Sequence, residues 1–117
     1  MEILGTRAKS QPAPARFVHE ALNEPNRDQA RQWLTLLDDE TAPKIVESEE
    51  PSLVLWFSIW PKRPEAQVRF DIEPGGQGRD LRWTLLDVDC PGPALVGRMC
   101  KRLNQLINAE LRYSFGQ

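Results

Sequence analysis

Glu110 is the residue whose placement most invites chemistry. At about 100° per helical residue, it falls in the centre of a stripe made by Leu95, Met99, Leu103, Leu106 and Ile107. A carboxyl group there loses water, and desolvation raises its pKa unless a cation such as Arg69 or Arg82 lies close. Such a group is a candidate acid or base in an apolar site, although the helix end one turn away also gives Glu110 a route to solvent. His19 is the single histidine and sits on its helix opposite Phe17, Val18, Ala21 and Leu22, so it is expected to face water. A Ser-His-Asp or Cys-His arrangement would have to use this one imidazole, and nothing else supports that role. Cys90 and Cys100 stand ten residues apart with no second histidine, so no metal site is expected, and no cofactor signature is present. The run "GGQG" lacks the Lys and Ser/Thr of a phosphate loop and reads as a hairpin turn. Lys62 and Arg63 in "PKRP" offer an anion two charges, or a solvated turn.

Composition narrows the setting for any such chemistry. The 117 residues suit one domain, 1–117, with one core. Fifteen basic against seventeen acidic side chains give a net charge of -2 with no basic tract, so a nucleic-acid partner is not expected. No run approaches the roughly 18 apolar residues that span a bilayer. Met1 opens onto Glu2-Ile3-Leu4-Gly5, without the basic start and apolar run of a secretory signal, and a cytoplasmic location is expected. Two cysteines do not make a disulfide framework.

The elements that must position these residues follow from periodicity. A strand, Glu2 to Lys9, ends at "SQPAPA", where Pro12 and Pro14 suit a helix start. Phe17, Val18, Ala21 and Leu22 recur at helical spacing, and Ala30, Trp33, Leu34 and Leu37 repeat the pattern after "NEPN", predicting two short helices. Strands are expected at Lys44 to Glu49, Ser52 to Trp60, Ala66 to Glu73 and Arg79 to Val88. Val68, Phe70 and Ile72 alternate strictly with polar residues, as in a sheet covered on one face. Leu53, Leu55, Phe57 and Ile59 would then face the core, leaving Trp56 and Trp60 on the other face. There the two small helices or a sheet end would cover one set while the other faces the long helix, or a subunit interface would cover them. From Ala94 to about Tyr113 runs the longest periodic segment, with Leu95, Val96, Met99, Leu103, Leu106, Ile107 and Leu111 on one face. Gly97 inside it costs about 1 kcal/mol relative to Ala, which close packing would compensate.

This order of elements resembles the START-related SRPBCC superfamily, whose members include pollen-allergen-like, polyketide cyclase/dehydrase-like and lipid-transfer proteins. The resemblance rests on "SQPAPARFVHEAL" after the first strand, on "RQWL", and on the closing helix "GRMCKRLNQLINAEL". It implies an α+β helix-grip: a curved antiparallel sheet, here of about five strands instead of the usual seven, with two short helices and a long C-terminal helix on its concave face. It further implies an apolar cavity between helix and sheet that binds a small apolar molecule. Phe57, Phe70, Trp83, Met99, Leu103, Ile107 and Glu110 are the expected ligand-binding residues, with Thr84, Ser58, Tyr113 and the Trp83 indole N–H as further polar candidates. A non-enzymatic binder is the leading expectation. The alternatives are a cyclase/aromatase-like enzyme using Glu110, and a dimeric or co-chaperone-like interaction module. The shortened sheet leaves the Lys44 to Glu49 strand at an edge, guarded by its charges or covered by a second copy in a homodimer.

Overall fold

The computed structural model describes residues 1–11, 13–24, 33–50, 52–74 and 79–114. Strand β1 (Glu2–Gln11) leads into helix α1 (Ala15–Asn23), and β2 (Ile45–Glu49), β3 (Leu53–Phe57), β4 (Gln67–Pro74) and β5 (Arg79–Asp87) follow. Helix α2 (Pro93–Gln105) continues through a π-helical turn, Leu106–Leu111, into a last α turn, Arg112–Ser114. The five strands form one antiparallel sheet in the order β1-β5-β4-β3-β2, curved around the long C-terminal helix. The expected α+β helix-grip is therefore the observed architecture, with β1 and β2 at the two edges. Of the second expected short helix, residues 25–32 lie outside the described residues, and 33–37 are irregular, not helical. The "GGQG" turn also lies outside them.

Register reverses the expected facing of β3. Its partner β4 turns Val68, Phe70 and Ile72 into the core, as the alternation requires. Residues directly opposite each other in a ladder share a face, and the pairs are Trp56 with Val68 and Val54 with Phe70. Val54 and Trp56 are thus fully buried, whereas Phe57 is 44% exposed. Phe57 points away from the grip, contrary to expectation, and Trp56 is a core residue with no surface to offer an interface. Of the settings expected for Trp56, packing against a small helix is the one seen, through its N–H to the Leu22 carbonyl of α1. The strand ends at Phe57. Beyond it the Ser58 hydroxyl accepts the Trp60 N–H and donates to the Trp60 carbonyl, a local turn that breaks the alternation and lets Ile59 be buried as well. Trp60 is half-buried against the same core.

The C-terminal helix starts after Gly92, whose φ of 114° is open to glycine, with Pro93 in its first turn. It lies close on β1: a Cβ added at Gly5 would stand 2.5 Å from Cys100 Sγ, so only glycine admits this approach. Gly97, in contrast, is exposed, and a Cβ there would meet nothing within 4 Å. Close packing does not compensate for this glycine. Gly97→Ala is accordingly expected to stabilise the fold by up to about 1 kcal/mol, read as a higher denaturant midpoint at unchanged slope.

Candidate functional site

Phe70 and Trp83 from the sheet and Met99, Leu103 and Ile107 from the helix meet in one buried cluster. The register supplies the first two: Phe70 faces Trp83 across the β4–β5 ladder. Trp56 enters the same cluster, stacked on Trp33 at 6.1 Å between ring centroids and edge-on to Phe70 at 4.6 Å. Five of the seven residues expected to bind a ligand thus stand together, and Phe57 and Glu110 stand apart.

Glu110 is half-exposed, while Leu111 is fully buried. The cause is the π turn. Each of its hydrogen-bonded rings contains one residue more than an α-helical ring, so of the two positions that follow Ile107 on the stripe, Glu110 and Leu111, it is the later one that turns to the sheet. The cations considered for Glu110 also lie elsewhere: Arg69 pairs with Asp71, and Arg82 donates to the Thr6 hydroxyl. Of the other polar candidates, Tyr113 is exposed, and Thr84 meets the Thr6 hydroxyl at the exposed surface. Ser58 is occupied by the Trp60 backbone.

Of the expected polar candidates the Trp83 indole N–H reaches the helix–sheet interface, and the amides around it are ones that sequence reasoning passed over. Trp83 Nε1 donates to Asn104 Oδ1 at 3.0 Å, and Asn108 Nδ2 donates to the same oxygen at 3.2 Å. Asn108 Oδ1 is buried without a partner among the described residues, as are both amide atoms of Gln11, a residue only 3% exposed. The available signal was two asparagines at i and i+4 beside an otherwise apolar stripe. Arg102 is likewise buried, and it holds the Glu40 carboxylate through Nε at 2.8 Å and Nη2 at 2.9 Å.

His19 is buried, contrary to expectation, and its Nε2 lies 3.0 Å from the Ser48 hydroxyl on β2. Packing of α1 against β3 and β4 brings that side of the helix under the sheet edge. Arg63 is held by Asp87 and Asp89, so this half of the "PKRP" pair is committed within the chain. Among the described residues, no group of three or more His, Cys, Asp or Glu is placed to hold a metal ion, and no helix is long and apolar enough to cross a membrane.

The two thiols are free and differ in setting. Burial pushes the Cys100 thiol up from its ordinary value, and the thiolate is the reactive form; Cys90 is exposed. Iodoacetamide at pH 7.5 is expected to modify Cys90 at least about tenfold faster than Cys100 in the native protein. Peptide mass mapping over time checks this, and equal rates would contradict the packing of Cys100 on Gly5.

No protein-family model matches the chain, and no curated protein matches it. Solved structures do. The Aha1 dimer from Colwellia psychrerythraea superposes with a TM-score of 0.66 at 14% identity, over 94% of this chain and 94% of that one. CalU16 from Micromonospora echinospora gives 0.63 at 14% identity over 88% and 67%. An AHSA1-like protein from Rhizobium etli gives 0.63 at 16% identity over 92% and 78%. These neighbours are members of the SRPBCC helix-grip superfamily. At such identities the likeness is one of fold, and the fold is the one the sequence resemblance implied.

Proposed function

We propose that residues 1–117 act as one domain, a non-catalytic module that takes up a small, mainly apolar molecule between the C-terminal helix and the concave face of the sheet. The observation that carries this reading is the change from α to π winding at Leu106–Leu111, in a helix that packs with Phe70 and Trp83 in one cluster. A π turn within an α-helix frequently accompanies a functional site. The side chains around this one, Leu103, Leu106, Ile107 and Leu111, are apolar and buried, as in ligand sites that are mostly apolar with a few polar groups. The cyclase/aromatase alternative draws less support, because Glu110 is half-exposed and turned out of the stripe.

Native mass spectrometry with organic extraction of the purified protein tests the reading. An apolar adduct, or uptake of added naphthalene or 2-naphthol at micromolar concentration, is the expected result. A protein that carries nothing and binds neither probe would defeat it.

A second reading, an interaction module or homodimer, draws on a different observation. Phe57 and Val46 stand exposed on neighbouring strands beside the open edge of β2, and one structural neighbour is described as a dimer. A 13.4 kDa particle by light scattering at 100 µM would dispose of the homodimer.

A further inference from the structure

The hydrogen bonds beneath the helix fix the direction of each amide. An indole N–H can only donate, so Asn104 must present Oδ1 to Trp83. That oxygen can only accept, so Asn108 must present its NH2 to Asn104. The Asn108 carbonyl oxygen is therefore turned away from both, into a place where it is buried and without a donor among the described residues. Its orientation follows from the chain of donors that begins at Trp83.

Gln11 belongs to the same end of the grip. The C-terminal helix runs alongside β1 in the same direction, as three contacts show. Cys100 lies against Gly5, Asn104 against Trp83, which is opposite Arg7 in the ladder, and Arg112 donates to the Ser10 carbonyl. From Asn104 to Arg112 the helix advances about 12 Å, and from Arg7 to Ser10 the strand advances about 10 Å, so the two keep pace. Asn108 consequently falls between the levels of Arg7 and Ser10, and Gln11 follows one residue beyond. Three buried amide atoms on two side chains, unpartnered among the described residues at one end of an apolar interface, are an anomaly, because buried polar groups in folded proteins are nearly always paired.

We infer that this end of the grip, at Asn108 and Gln11 beside the π turn, is the subsite for an uncharged hydroxyl or primary amide on an otherwise apolar ligand. A hydroxyl gives its one proton to Asn108 Oδ1 or Gln11 Oε1 and accepts from Gln11 Nε2, satisfying two of the three atoms, whereas a primary amide, with two N–H donors and one carbonyl, satisfies all three. A carboxylate has no proton to give, so the Asn108 oxygen disfavours it. The inference rests on the binding reading above and adds the ligand's polar group to it.

The test compares naphthalene, 2-naphthol and 2-naphthoate by calorimetry and by the side-chain amide resonances of the wild type, Asn108→Leu and Gln11→Leu. Both variants are expected to fold, since an apolar side chain of similar size relieves an unpaired buried amide. In the wild type, 2-naphthol should bind about tenfold tighter than naphthalene, with 2-naphthoate weakest and the Asn108 and Gln11 amide signals shifted by 2-naphthol alone. In each variant the preference for 2-naphthol should fall below about threefold while naphthalene binding holds. Equal binding of 2-naphthol and naphthalene in the wild type, a preference that survives in both variants, or tightest binding of 2-naphthoate would overturn the subsite and leave the apolar-binding reading standing. Failure of all three probes would overturn both.

Discussion

Trp56→Ala is expected to destabilise the protein by about 3–5 kcal/mol, the range for removing a fully buried tryptophan. Natural domains are stable by only about 5–15 kcal/mol, so the variant stands near unfolding. Volume is only part of the loss. The indole stacks on Trp33 and meets Phe70 edge-on, and such aromatic pairs add about 0.5–1.5 kcal/mol each beyond buried area. Trp56 Nε1 also donates to the Leu22 carbonyl at 2.8 Å, next to the end of α1 at Asn23, and so fastens the short helix to the sheet. A helix of nine residues has little stability of its own, so it depends on tertiary contacts such as this one. Trp56→Phe separates the two roles. Phenylalanine keeps part of the ring packing but leaves the carbonyl without its donor, for an added cost of about 1–3 kcal/mol. Urea denaturation of both variants measures the costs. A loss below about 1 kcal/mol for Trp56→Ala would mean that β3 has the opposite register, with Phe57 inside.

That register shows where the sequence was legible. β4 could be oriented from its own residues, because Val68, Phe70 and Ile72 alternate with charged and amide side chains and only one face of such a strand tolerates burial. β3 could not. Leu53 to Trp60 is apolar at every position except Ser58, and a continuous apolar run carries a period without a sign. The sign comes from a neighbour far along the chain, through the pairing of Trp56 with Val68. The five strands, their antiparallel order and the long closing helix were all open to reading from periodicity and turn residues. The winding of that helix was not. A stripe at 100° per residue takes in both Glu110 and Leu111, and the π turn that keeps Leu111 inside while Glu110 turns out leaves no mark in the pattern of residue types. Likewise, His19 is polar by type and lies opposite an apolar stripe, yet Ser48 offers it a partner from a strand 29 positions away. In each case a contact made in three dimensions overrides a local tendency.

The same limit hides the buried ion pair, and its removal should produce the second large effect. Arg102 stands three residues after Met99 and four before Leu106, both buried, so it occupies an apolar stretch of the helix. Its guanidinium grips Glu40 by two nitrogens and donates a further hydrogen bond to the Thr35 carbonyl. The side chains are only 9% and 2% exposed. Arg102→Ala leaves the Glu40 carboxylate buried with the Leu37 N–H as its remaining partner among the described residues, an uncompensated charge expected to cost about 3–5 kcal/mol. Arg102→Lys should recover less than half of this, since an ammonium cannot reproduce the paired geometry. The double variant Arg102→Met, Glu40→Leu should lie within about 1 kcal/mol of the wild type or exceed it, because apolar residues of similar volume avoid the desolvation that the pair has to repay. The matching single variants Arg102→Met and Glu40→Leu close a double-mutant cycle with the double variant, and a coupling below about 1 kcal/mol would show that the pair is not desolvated. A large coupling would identify Arg102 as the clamp that holds residues 35–40 on the C-terminal helix. That segment leads directly into β2, the open edge of the shortened sheet, so release of the clamp should loosen the edge strand first. Faster amide exchange across Ile45–Glu49 than across β4 in Arg102→Ala would separate this local release from a uniform loss of stability.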